Sequence, residues 1–184
     1  MILLETIRRR WSPRSYLSAP VTREQLMLLF EAARWAPSSN NSQPWSYYYA
    51  TSDQADSHAR LAECLTGGNR AWAPQAPVLI VSCGRRFFPG TRTINRHWMH
   101  DVGAANLSLA LQAAAMGLQL HQMAGFDTDA CSRLLGLDAE EEEPVTMMAL
   151  GYPGPADALP EPFRSREEQP RTREESDSFV RLLR

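Results

Sequence analysis

Apolar residues recur at helical spacing in the first third of the chain, then run together at strand spacing, and the switch repeats further on. Leu3, Leu4 and Ile7 share one face of a short helix predicted over residues 3–10, which cannot continue through Pro13. Thr22 has the chemistry of a helix N-cap, with Glu24 and Gln25 in the turn behind it. Leu26, Leu29, Phe30, Ala33 and Trp35 then make an apolar stripe that predicts a second helix. Residues 45–51 read as a strand by their aromatic content, and a helix restarts at Ser52-Asp53, passing Leu61 and Leu65 before Gly67-Gly68 stops it. Residues 77–83 are almost continuously apolar, the pattern of a strand covered on both faces. Residues 84–96 read as a loop whose Phe87 and Phe88 are too apolar for a mere connector. Shorter predicted elements are a strand over 118–124, a helix from Asp127 to Leu135 and a last core strand over 145–150, with Glu140 to Glu143 as a solvated loop before it.

Two segments depart from these patterns. The longest predicted helix starts at His97 or Asp101 and runs to Gly117, and small or apolar side chains cover nearly its whole circumference. A helix apolar all round must be buried on every side, which predicts that a second subunit covers part of it. From Gly151 onward, prolines 153, 155, 160, 162 and 170 alternate with charges, yet Phe179, Val180, Leu182 and Leu183 close the chain. An extended C-terminal arm over 151–184 that docks on a partner satisfies both features, and the whole of 1–184 reads as one domain of α+β class.

Composition narrows the function classes. A net charge of −2 gives no basic field for nucleic acid. All 19 basic residues are arginine, which favours planar, bidentate contacts with phosphate or carboxylate. The three cysteines are far apart and form no metal-ligand spacing, so free, buried thiols are expected. No apolar run is long enough to span a bilayer and no signal-peptide pattern opens the chain, so a cytoplasmic protein without membrane partners is the expectation. No GxSxG, HExxH, P-loop or GxGxxG pattern occurs.

The stretch Pro37-Ser38-Ser39-Asn40-Asn41-Ser42-Gln43-Pro44-Trp45 carries the first candidate chemistry. Its amides and hydroxyls need partners, so it cannot be core. Pro37 ends the preceding helix, and Pro44 predicts an extended Gln43. It is either a polar helix-to-strand turn or a shaped loop for a ligand with many polar edges, such as a phosphate, a ribityl chain or a heteroaromatic ring.

Further blocks stand at Arg8 to Tyr16, Gly68 to Trp72, His121 to Asp127, Gly151-Tyr152-Pro153 and Arg171-Thr172-Arg173. In this order they resemble the nitroreductase family of FMN-dependent oxidoreductases, over about residues 7–180. The resemblance implies a small, largely antiparallel sheet flanked by helices, in an intertwined homodimer with FMN sites at the interface. It implies that Arg10 and Ser12 approach the flavin phosphate and ribityl end, and that Arg14 lies nearer the pyrimidine carbonyls. Pro37, Ser38, Ser39, Asn41 and Gln43 match a loop that reaches the flavin from the other subunit. Asn69 matches an asparagine on the pyrimidine edge. Gly125 matches a glycine whose N–H faces flavin N5, with Met123 and Ala124 beside the ring, and Arg171 and Arg173 match a C-terminal basic pair on the phosphate. NAD(P)H is the implied electron donor. Phe87, Phe88 and Trp98 are candidates for a lid over a nitroaromatic, quinone or similar acceptor. Flavin destruction, azoline oxidation and a non-catalytic flavin-binding dimer are the alternative roles. No metal site is expected.

Overall fold

Four strands make one sheet in the order β1-β2-β4-β3, antiparallel at every pairing. They are β1 (Trp45–Thr51), β2 (Val78–Arg85), β3 (Gln119–Met123) and β4 (Glu142–Gly151). The helices are α1 (Glu5–Arg9), α2 (Arg23–Arg34), α3 (Ala55–Glu63), α4 (Trp98–Ala115), α5 (Thr128–Leu135) and α6 (Phe163–Glu167). The computed structural model describes residues 2–183.

The predicted central strand is β2, buried from Val78 to Gly84 between β1 and β4. Its side chains alternate between two cores. Val78 and Ile80 meet α2 and α4 with Leu26, Leu29, Leu109 and Leu120, while Leu79 and Val81 meet α3 and α5 with Leu61, Cys131 and Met147. A layer of helices on each face explains why this strand reads as an unbroken apolar run. The Thr22 cap is a full capping box: Thr22 Oγ1 accepts from Gln25 N at 3.2 Å and Gln25 Oε1 accepts from Thr22 N at 2.9 Å. Such a cap is worth about 1 kcal/mol, and burying Leu26 and Leu29 adds about 2 kcal/mol each. At α5, Asp127 caps the start and Gly136, at φ 66°, adopts the left-handed conformation that closes the end.

Several expectations change. Residues 84–96 are not a free loop: β2 runs on to Arg85, and Phe87 bridges Ile94 in a hairpin-like return. Glu142 and Glu143 are not a solvated loop but the first residues of β4, opposite Arg85 and Gly84. Trp35 leaves the helical stripe and lies 76% exposed at the end of α2. The first helix spans only Glu5–Arg9 and buries nothing; Leu3, Leu4 and Ile7 face outward. Within the single chain α4 keeps one side open, the side for which a second subunit is expected. Met99, Gly103, Leu107 and Ala115 are exposed, and with half-buried Leu111 they form one line along it at four-residue spacing. The final apolar cluster does not dock on its own chain, Leu183 being 96% exposed. The three cysteines are free and buried, as composition implied.

Candidate functional site

The edge strand β3 organises the candidate site, because its outer side has no strand partner. At its start, Gln119 Oε1 accepts from Trp11 N at 3.0 Å and Gln119 Nε2 donates to Arg9 O at 3.1 Å. This buried glutamine pins the segment carrying Arg10, Ser12 and Arg14 to the sheet. The C-terminal arm returns to the same place. Arg171 donates from both terminal nitrogens to Arg10 O and Arg8 O, each at 2.8 Å. Arg10, Ser12, Arg14, Arg171 and Arg173 therefore line one cleft, although the sequence separates them by more than 150 residues.

The electrostatics there are unbalanced. Partial burial, then the charges of Arg173 and Arg171, push the Arg10 guanidinium below its ordinary pKa. Among the described residues no carboxylate pairs with Arg10, Arg171 or Arg173. Crowded cations without a counter-ion favour a bound anion, above all one with several oxygens for guanidinium groups. Arg14 differs. Its guanidinium lies 3.5 Å from Glu167 Oε2, and Glu167 Oε1 accepts from Arg14 N at 2.8 Å and Ser15 N at 3.3 Å. Glu167 sits in α6, on the proline-rich arm, and no sequence pattern marked it.

At the far end of β3, Asn69 and Gly125 are brought together. Gly125 O accepts from Asn69 Nδ2 at 3.1 Å and from Thr66 N at 3.0 Å. The Gly125 N–H has no acceptor among the described residues. A methyl group on Gly125 would stand 2.7 Å from Asn69 Nδ2, so any larger residue there must displace the Asn69 side chain. Met123 is buried toward the α3 side, and Ala124 is exposed. His121 holds the two ends of the edge in register: its Nδ1 lies 2.8 Å from Pro13 O and its ring packs 4.6 Å from Trp72. Burial lowers its pKa to about 4, so it is neutral at neutral pH and serves as structure.

The polar loop lies elsewhere. It enters β1, the opposite edge of the sheet, three strand spacings or about 14 Å from β3. Its backbone is strained: Asn40, Asn41 and Gln43 have φ of 51°, 52° and 44°. Gln43 is thus left-handed rather than extended as Pro44 predicted, and Ser38 Oγ secures it by accepting from Gln43 N at 3.0 Å. Two buried side chains hold the loop from outside. Asp101 Oδ2 accepts from Ser39 N at 3.0 Å, and Asn95 Nδ2 donates to Ser42 Oγ at 3.1 Å. Pro37 and Asn41 are exposed, and Ser38 and Ser39 partly so. Being the one acid in α4 was the signal for Asp101; nothing marked Asn95.

The candidate lid is more ordered than a loop. Phe88 N donates to Thr93 O at 3.0 Å and Asn95 N to Arg86 O at 2.8 Å. Phe87 and Phe88 are half-buried, with the Arg92 guanidinium 4.6 Å from the Phe87 ring centroid. Glu141 and Glu143 form ion pairs with Arg92 and Arg86. Trp98 packs against Gly84, whose hydrogen-sized side chain makes room for the indole. Among the described residues no cluster of His, Cys, Asp or Glu could hold a metal ion, and no helix is long and apolar enough to cross a membrane.

Comparison with known proteins finds a family and several similar chains. The model of the nitroreductase family matches residues 7–70 and 62–152. A solved oxidoreductase structure described as containing FMN superposes with a TM-score of 0.93 at 30% identity, covering 100% of this chain and 93% of that one. A protein of Streptomyces coelicolor named as an NADH dehydrogenase/NAD(P)H nitroreductase is 28% identical over 77% of this chain and 80% of its own length. One of the same description from Xanthomonas oryzae is 28% identical over 61% of this chain and 66%, just under two thirds, of its own.

Proposed function

The chain belongs to the nitroreductase family, and from that premise we propose that it is an FMN-dependent oxidoreductase that takes hydride from NAD(P)H and passes it to a nitroaromatic, quinone or similar acceptor. The observation that carries this reading is the edge of β3, with an uncompensated arginine cluster at one end and the Asn69–Gly125 contact at the other.

The residues fit the cofactor. A flavin mononucleotide phosphate carries close to two negative charges and three acceptor oxygens, which Arg10, Arg171 and Arg173 match in charge in one cleft. Ser12, whose Oγ lies 3.4 Å from Arg10, is beside them for the ribityl chain. Asn69 offers an amide for a ring edge, and Gly125 an N–H with no acceptor of its own. Bound FMN supplies two-electron hydride exchange at N5, and this chain's residues bind and orient it. With no separate dinucleotide-binding motif, one open face serves donor and acceptor in turn. Phe87, Phe88 and Trp98 border the acceptor in this reading.

The active unit is a homodimer. The polar loop at the β1 edge makes no hydrogen bond to the arginine cluster or to Asn69 among the described residues, and in this reading a second copy brings Pro37, Ser38, Ser39, Asn41 and Gln43 to the flavin. The exposed line on α4 and the undocked apolar end of the arm supply surfaces for that partner.

The test is direct. Purified protein should be yellow with FMN rather than FAD, NADH or NADPH should bleach it within the turnover time, and double-reciprocal plots with varied donor and acceptor should be parallel. Flavin that binds but is not bleached makes the protein a flavin carrier. Intersecting plots, with no single-turnover transfer from the reduced enzyme, exclude the shared face.

A further inference from the structure

A buried hydrogen-bond network beneath β3 is used by none of the roles above. Asn106 on α4 is 1% exposed and sits at its centre. Its Oδ1 accepts from Tyr47 Oη at 2.9 Å, and its Nδ2 donates to Ser82 Oγ at 3.0 Å and to Gln122 Oε1 at 3.4 Å. Tyr47 is on β1, Ser82 on β2 and Gln122 on β3, so the network crosses the α4 face of the sheet. Ser82 and Asn106 are buried, Tyr47 is half-buried, and Gln122 is the exposed end.

In the structure Gln122 is oriented by its contact with Asn106. Tyr47 and Ser82 engage Asn106 so that an N–H of Nδ2 remains for Gln122, which turns the Gln122 carbonyl oxygen inward. The Nε2 amino group must then face away from α4, and it has no acceptor among the described residues. Strand alternation puts Gln122 on the same face as Leu120 and Ala124. Gln122 lies three residues beyond Gln119, which anchors the Arg10 segment, and three before Gly125, which meets Asn69. Whatever spans those two ends passes this amide.

We propose that Gln122 is a cofactor-contacting residue whose Nε2 donates a hydrogen bond to an acceptor atom of the bound flavin, and that Asn106 is the positioning residue that sets its orientation. The inference rests on the FMN reading above. It adds a donor that tunes both affinity for the oxidised cofactor and its reduction potential, since a donor and an anion at one place shift electron density in opposite directions.

The experiment measures FMN affinity, the visible spectrum of bound FMN and its reduction potential in the full-length protein. Q122L should raise the FMN Kd about tenfold, the loss of one neutral hydrogen bond. Q122E keeps the shape and the acceptor for Asn106 but presents an anion instead of a donor. It should weaken FMN further, lower its potential and shift its absorbance, with the apo-protein melting close to wild type. N106D offers Gln122 an acceptor, so the glutamine amide reverses and its oxygen faces the flavin; FMN should weaken without any change at the contacting residue. Unchanged Kd, spectrum and potential in both Gln122 variants, or in N106D, overturns the inference while leaving the FMN reading intact. A wild-type chain that binds no FMN overturns both.

Discussion

Gly125→Ala is the substitution whose cost the structure specifies most closely. The new methyl group would stand 2.7 Å from Asn69 Nδ2 and 3.6 Å from Thr66 O. The second separation is ordinary contact; the first is a clash. Gly125 carries no positive φ, so backbone strain adds nothing, and the whole cost falls on Asn69. Its side chain can swing away, but only by giving up the 3.1 Å bond to Gly125 O. A net hydrogen bond is worth about 1 kcal/mol, which lowers the melting temperature of a chain this size by roughly 2–4 °C. Asn69→Ala removes the same bond and should cost about the same. The double variant has neither bond nor clash, so it should cost about 1 kcal/mol rather than 2, a coupling of about 1 kcal/mol. Urea titrations of the apo-protein at one fixed protein concentration measure all four corners of the cycle. Additivity within about 0.3 kcal/mol would refute the contact. FMN titrations of the same variants carry the functional half: each single variant should weaken FMN about tenfold. Wild-type affinity in Gly125→Ala would mean that Asn69 does not need its present orientation to serve the site.

Four other outcomes are expected. Arg10→Ala and Arg173→Ala should each weaken FMN by about 1.5–3 kcal/mol, the worth of a charge-assisted hydrogen bond, measured by fluorescence titration; unchanged affinity in both would remove the phosphate from this cleft. His121 titrates near 4 in the folded chain against 6.5 ordinarily, so below pH 6.5 the unfolded state takes up the proton first. Its contribution, about 3 kcal/mol, is therefore present above pH 6.5 and lost as pH falls toward 4; His121→Gln should flatten that part of the stability curve. Gly84→Ala should destabilise by about 1–3 kcal/mol, because its methyl group would stand 2.5 Å from the Trp98 ring, and a wild-type melt would contradict that packing. Truncation after Gly154 should lower both dimer content by light scattering and bound flavin; a truncated chain that stays a flavin-loaded dimer contradicts the crossing arm.

What the sequence reveals and what it hides divide along a physical line. Elements set by neighbours in sequence were legible: the Thr22 capping box, the stripe of Leu26 and Leu29, and the unbroken run of β2 all appear where periodicity puts them. The errors came where a local rule was overridden by a distant partner. Pro44 favours an extended Gln43, but Ser38, Asp101 and Asn95 together hold the strained loop, and Gln43 in it is at positive φ. Charged residues at Glu142 and Glu143 look like a loop until Ser46 and Arg86 are placed opposite them. The candidate site divides the same way. Arg10, Arg171 and Arg173 could be named from their blocks, and so could Asn69 and Gly125, because their residue types are distinctive in order. Gln119, Glu167, Asn106 and Asn95 could not, since each acts through one hydrogen-bond partner far away in sequence, and an isolated glutamine or asparagine carries no periodic signal. Those silent residues orient the legible ones: Gln119 sets the Arg10 segment on β3, Glu167 engages Arg14, and Asn95 fixes Ser42. Substitutions at these four positions should therefore disturb the site through geometry while leaving every recognisable motif residue in place.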